Sequence, residues 1–226
     1  GSGGKTTLMF QLARDFETQV ICTTTTHLAL DQLDAADQHW VLNEPGDLPD
    51  SADELSGKIL LFTGPQVEVD RVGSPAPEIL DRLRELAQVW NCPMIIEADG
   101  ARKLPIKAPA EHEPPIPDFI DTVITVIGLS GLGKPLTEEW VHRPQIYSAL
   151  VDLPLGASLE SEHLVKALTS PRGGLKNIPA DARKILLINQ IDSFPNWKTF
   201  YSQIDTLLAT YSTVAFSVLE DQMLLE

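Results

Sequence analysis

Gly1-Ser2-Gly3-Gly4-Lys5-Thr6-Thr7 is the stretch whose reading decides the fold. Gly-Lys-Thr after a glycine-rich run is the second half of a phosphate-binding loop. Gly1, Gly3 and Gly4 allow positive φ and a close approach of backbone N–H groups to an anion. Lys5 reaches the β- and γ-phosphates as a point charge, and the Thr6 hydroxyl is of the kind that ligates Mg²⁺. A helix from Thr7 to about Phe16 aims its positive dipole end at the same phosphates. Leu8, Leu12 and Phe16 give that helix an apolar face. The glycine that completes the motif, and the strand that launches such a loop, would lie ahead of Gly1.

The 226 residues suit one large domain, and a 43% hydrophobic content allows an ordinary core. No apolar run approaches the ~20 residues that span a bilayer. No signal peptide is visible, so the expectation is a cytoplasmic protein. A net charge of −15 argues against nucleic acid or an anionic membrane as partner, because both need a basic surface. Cys22 and Cys92 stand far apart in apolar surroundings and read as buried thiols rather than metal ligands.

Outward from the loop, strands and helices alternate. Gln19-Val20-Ile21-Cys22-Thr23 and Ile59-Leu60-Leu61-Phe62-Thr63 read as buried strands, with a short strand around Trp40-Val41-Leu42 between them. Pro77 opens a helix to about Trp90, with Ile79, Leu80, Leu83, Leu86, Ala87 and Trp90 on one face. Met94-Ile95-Ile96 has the character of a central parallel strand buried on both faces, 122–127 reads as another buried strand, and Lys184-Ile185-Leu186-Leu187-Ile188 as the last strong strand. Residues 138–175 read as a helical insertion or partner surface, and a last helix from Asn196 precedes a strand near 214–218. The alternation predicts an α/β fold, a doubly wound and mostly parallel sheet.

Ligands of such sheets sit beyond the carboxyl ends of the strands, so the residues there carry the chemistry. The run Thr23–Thr26 offers hydroxyls, Thr25 among them, to Mg²⁺ or a γ-phosphate. Glu97 and Asp99 compete as the second Mg²⁺ contact, and Asp99 could instead orient an attacking water. Glu97 precedes Gly100 by three, the spacing at which a glycine N–H meets a γ-phosphate in GTPase-like sites. Arg102, Lys103 and Lys107 form the dense basic cluster of an acidic chain, a candidate second anion or partner site. Gly128-Leu129-Ser130-Gly131-Leu132-Gly133-Lys134 imitates a second phosphate loop, but Pro135 forbids the helix it would need, so it reads as a flexible loop. Asn189-Gln190-Ile191-Asp192 resembles the guanine-reading Asn-Lys-x-Asp of GTPases. There a carboxylate accepts from guanine N1–H and N2–H₂, a donor pair adenine lacks, although Gln190 replaces the lysine.

By Glu97-Ala98-Asp99-Gly100-Ala101-Arg102-Lys103-Leu104-Pro105-Ile106-Lys107-Ala108-Pro109 the chain resembles the YqeC family, P-loop accessory proteins of selenium-dependent molybdenum hydroxylases. The resemblance continues through Glu111-His112-Glu113-Pro114-Pro115-Ile116-Pro117, Gly133-Lys134-Pro135-Leu136 and Trp140-Val141-His142-Arg143-Pro144. It implies a nucleotide-binding helper in maturing a molybdenum hydroxylase or handling its cofactor. More distantly the architecture is similar to the GTPases that assist nickel insertion, an analogy that implies a homodimer across the nucleotide face. The expectation is therefore a Mg²⁺-dependent P-loop NTPase, GTP preferred over ATP, with slow hydrolysis. Lys5, Glu97 and Asp99 are its catalytic candidates. Gly1, Gly3, Gly4, Lys5, Thr6, Thr7, Gly100, Asn189 and Asp192 hold nucleotide, and Thr6, Thr25, Glu97 and Asp99 are the metal candidates. The rivals are a small-molecule kinase with its acceptor at the basic cluster, a nucleotide-gated client-binding module without turnover, and a scaffold that keeps only the remnants of the motif.

Overall fold

The computed structural model describes residues 2–49, 51, 55–100, 104–194 and 200–218. They fall into two compact units, Lys5–Gly100 and the described residues of Gly1–Gly4 with Ala101–Glu226.

In the unit Lys5–Gly100, α1 (Lys5–Asp15) precedes β1 (Val20–Thr24), the two-residue β2 (Leu28–Ala29), β3 (Gln38–Val41) and β4 (Ile59–Thr63). A hairpin follows, β5 (Gln66–Glu68) and β6 (Arg71–Val72), then α2 (Pro77–Val89) and β7 (Met94–Glu97). The main sheet has the order β3-β4-β1-β7 and is parallel throughout, with Ile21 beside Met94 and Thr24 beside Glu97. A strand buried on both faces reads as a near-continuous apolar run, and β1 and β4 are buried along their whole length, with the threonines at their ends hydrogen-bonded. Their side chains alternate between two cores. Val20, Cys22, Ile59 and Leu61 pack with Met9, Phe10 and Ala13 of α1. Ile21, Leu60 and Phe62 pack with Ile79, Leu83 and Ala87 of α2. Each buried Val, Leu, Ile, Phe or Met side chain among them contributes about 1.5–3 kcal/mol. The helix α2 buries the face that its periodicity marks out. On α1 the buried stripe is Thr6, Met9, Phe10 and Ala13, whereas Phe16 is exposed, which corrects the Leu8-Leu12-Phe16 face.

The other unit holds β8 (Ile106–Lys107), β9 (Thr122–Gly128), β10 (Val141–His142), α3 (Pro144–Val151), α4 (Ser161–Leu168), β11 (Arg183–Asn189), α5 (Ile204–Leu208) and β12 (Thr213–Phe216). Its three-stranded sheet, β12-β11-β9, is again parallel, with Ile188 beside Ile127 and Phe216. Leu164, Val165 and Leu168 of α4 pack on Leu186 and Ile188 of β11, together with Phe200, Leu207 and Tyr211. The segment read as one helical block is α3 and α4 with β10 ahead of them. Val141 and His142 pair in parallel with Ile106 and Lys107, a non-local contact that helical periodicity cannot reveal. The stretch read as a flexible loop after β9 is packed instead: Leu129 and Leu132 lie in the core, and Leu129–Gly131 forms a 3-10 turn.

The architecture is mixed α/β with mostly parallel sheets. Among the described residues no helix is long and apolar enough to cross a membrane.

Candidate functional site

In the unit Lys5–Gly100 the first turn of α1 and the carboxyl ends of β1 and β7 bring several candidates together. The Thr6 hydroxyl donates to Glu97 Oε2 at 2.6 Å, a buried contact between residues 91 apart in sequence. Lys5 Nζ lies 3.8 Å from Asp99 Oδ2, and both side chains are largely shielded from solvent. Two threonines at the end of β1 frame the same acid through its backbone: Thr24 Oγ1 donates to the Glu97 carbonyl at 2.9 Å, and the Thr25 N–H donates to it at 3.0 Å. Thr23 turns to Phe62, whose carbonyl accepts its hydroxyl at 2.7 Å. Gly100 packs against Thr26, where a Cβ would meet Thr26 Oγ1 at 3.3 Å. Thr7, the next residue of α1, is exposed.

Glu97 is 7% exposed. Burial pushes its carboxyl up, while the Thr6 hydrogen bond and the Lys5 charge pull it down and Asp99 pushes it up again. A buried acid that the protein answers with one hydroxyl and a nearby ammonium is suited to a cation it meets on binding. The donor set is hard oxygen, the set Mg²⁺ takes. Among the described residues no group of three or more His, Cys, Asp or Glu converges as a metal cage. Mg²⁺ does not need one, since it keeps waters and takes phosphate oxygens beside one or two protein ligands.

The other unit gathers the glycines and the Asn-x-x-Asp turn. Gly3 and Gly4 have φ of +66° and +87°, values that suit glycine. Gly3 lies against Gly128, and a Cβ on Gly4 would stand 2.6 Å from Asn189 Nδ2. Asn189 Nδ2 donates to the Gly3 carbonyl at 2.8 Å. Its Oδ1 accepts from the Gln190 N–H at 2.8 Å and from Ser217 Oγ at 2.7 Å. One side chain thus ties the glycine run, its own turn and the residue that follows β12. Asp192 sits in the 3-10 turn Ile191–Ser193 directly after. Ser217 and Ser130 are participants that sequence reasoning missed. Their signal was position alone, each lying at or just after the carboxyl end of a parallel strand.

Of the basic cluster, Arg102 and Lys103 lie outside the described residues, as does Gly1. Lys107 is enclosed, with its side chain 7% exposed and Nζ 2.7 Å from Glu113 Oε2. Arg143 closes on the same carboxylate with two hydrogen bonds, of 2.5 and 2.8 Å. Partial burial works to raise the Glu113 carboxyl, but the Arg143 and Lys107 hydrogen bonds outweigh it and hold it at about 2. The charge of Lys107 is therefore answered inside the protein. Lys176 donates to the Ala110 and Glu111 carbonyls and Asn177 to that of Pro114, so residues 110–114 are fastened at several points.

Comparison with known proteins brings a family to this geometry. The family model described as YqeC protein matches residues 1–145. The chain is 35% identical over 204 residues to an Escherichia coli (strain K12) protein described as "Uncharacterized protein YqeC", an alignment covering 87% of this chain and 76% of the relative. No solved structure matches.

Proposed function

The chain belongs to the YqeC family, and on that premise we propose that it binds a Mg²⁺–nucleoside triphosphate, GTP in preference to ATP, and hydrolyses it slowly. Its role would be that of a cytoplasmic accessory factor in maturing a selenium-dependent molybdenum hydroxylase. The observation that carries the nucleotide reading is the buried Thr6–Glu97 hydrogen bond. A hydroxyl one residue after the loop lysine and an acid ending an adjacent parallel strand are the two protein oxygens that a P-loop site gives to Mg²⁺. The parallel sheet with α1 and α2 on opposite faces supports a P-loop domain of the nickel-chaperone GTPase kind.

On this reading Thr6 and Glu97 hold the ion, which when bound neutralises phosphate charge. Lys5 exchanges its Asp99 contact for phosphate oxygens. Asp99, released, accepts a hydrogen bond from the attacking water. Catalysis is positioning and electrostatics, with no covalent intermediate on the protein. Asn189 and Asp192 would read the base, Asp192 by accepting from guanine N1–H and N2–H₂.

The test is nucleotide affinity with and without Mg²⁺. Lys5→Ala should abolish binding. Thr6→Ala and Glu97→Gln should keep the Mg²⁺-free affinity and lose the increment that Mg²⁺ adds. An increment that survives in both variants would remove the assignment. Asp99→Asn should retain it, which separates the two carboxylates.

A further inference from the structure

The run Gly128-Leu129-Ser130-Gly131 stands at the carboxyl end of β9, with Gly128 beside Asn189 in register. Ser130 Oγ donates to Gln190 Oε1 at 2.7 Å. The same oxygen presses against Gly128 so closely that any Cβ there would collide with it. Gln190 takes φ of +61°, a left-handed value that costs a non-glycine residue about 1–2 kcal/mol. Its backbone N–H is engaged by Asn189 Oδ1. The residue is thus fixed at both ends, the backbone by Asn189 and the side-chain carbonyl by Ser130 and Gly128.

We infer that Ser130 is a positioning residue that sets purine selectivity by taking up the hydrogen-bond acceptor of Gln190. The inference rests on the reading of the Asn189–Asp192 turn as the base reader. A free glutamine offers a donor and an acceptor together, and in that form it pairs in bidentate fashion with adenine N6–H₂ and N7. With Oε1 turned onto Ser130 and Gly128, the hydrogen-bonding group left to the side chain is its amide nitrogen, a donor. The outer edge of guanine carries two acceptors, N7 and O6, whereas that of adenine carries the acceptor N7 and the donor N6–H₂. A glutamine reduced to a donor favours guanine and forfeits its adenine pairing. The serine lies 60 residues from the glutamine it orients, outside any local motif.

Calorimetric titration of Mg²⁺–GTP and Mg²⁺–ATP into the wild type and into Ser130→Ala, Ser130→Thr and Gln190→Ala variants tests this. The expected result is a GTP preference in the wild type that falls by roughly 3- to 10-fold in Ser130→Ala, the worth of one hydrogen bond. Ser130→Thr, which keeps the hydroxyl, should retain the preference. In the Gln190→Ala background the Ser130→Ala change should no longer move it, a coupling that a merely structural serine would not show. An unchanged preference in Ser130→Ala overturns the inference and leaves nucleotide binding standing. A preference that rises overturns it too, because the glutamine nitrogen would then face Ser130. Failure of the underlying reading looks different: the wild type binds neither nucleotide, and the inference falls with it.

Discussion

Replacing Asn189 with alanine removes the hydrogen bonds to the Gly3 carbonyl, the Gln190 N–H and the Ser217 hydroxyl, of 2.8, 2.8 and 2.7 Å. A neutral intramolecular hydrogen bond contributes about 0.5–1.5 kcal/mol net, and a buried group left without a partner adds to the loss. Gly3 is buried, so its carbonyl gains little from water in exchange. The contacts share one side chain and do not add fully, which puts the cost at about 2–4 kcal/mol. Ser217→Ala removes one of them and should cost about 0.5–1.5 kcal/mol. Hydrogen exchange of the β9 and β11 backbone amides reads both values, because Asn189 ends β11 beside Gly128 of β9. The expected outcome is faster exchange in both variants, with the Asn189→Ala effect about three to four times larger in free energy. An Asn189→Ala protein within about 0.5 kcal/mol of wild type would refute the reasoning, since measurable hydrogen bonds could not then be at stake.

Glu97→Gln should make the Mg²⁺-free protein more stable at pH above the raised range of the Glu97 carboxyl. Burial raises the Glu97 carboxyl, so the folded chain binds its proton more tightly than the unfolded chain, and wild-type stability falls as pH rises from the ordinary carboxylate range through that raised value. Thermal melting in chelator across this range checks it, and a variant less stable than wild type at the alkaline end would contradict it. Glu113 has the opposite sign: held at about 2, it contributes stability that is present above the ordinary carboxylate range and lost as pH falls toward about 2. Acid unfolding of Glu113→Gln should show a shallower loss over that window, and a slope equal to wild type would count against the Arg143–Lys107 clamp. Tyr147 buries a hydroxyl that has no hydrogen-bond partner among the described residues. Tyr147→Phe should therefore stabilise the protein by about 1–3 kcal/mol in urea unfolding, and destabilisation would show that the hydroxyl is satisfied.

The strands were legible because a parallel strand buried on both faces must be a continuous apolar run, and Ile59–Thr63 begins and ends where its sequence does. The helix α2 was legible for the same reason, with one unbroken stripe and a proline at its start. On α1 two stripes fit a 3.6-residue period, and periodicity alone chose Leu8-Leu12-Phe16. The site decides otherwise: Thr6 must face Glu97, and the positions three, four and seven residues on from Thr6 are Met9, Phe10 and Ala13. The glycines of 128–133 suggested mobility, but Leu129 and Leu132 between them anchor the turn in the core. Of the last helix, 195–199 lies outside the described residues. Phe200, Leu207 and Tyr211 are buried as its period requires, whereas Tyr201 and Leu208 are exposed. Lys107 looked like part of a basic patch because its neighbours in sequence are basic. Its partners in space, Glu113 and through it Arg143, come from a strand pairing and a turn that no local pattern encodes.

The central claim is that Lys5, Thr6 and Glu97 serve a Mg²⁺–nucleotide, and calorimetric titration of Mg²⁺–GTP and Mg²⁺–ATP into the wild type and Lys5→Ala tests it most directly. The account predicts saturable binding, tighter for GTP, that requires Mg²⁺ for full strength and is lost in Lys5→Ala. Heat of binding absent for both nucleotides, or an affinity unchanged in Lys5→Ala, would contradict it.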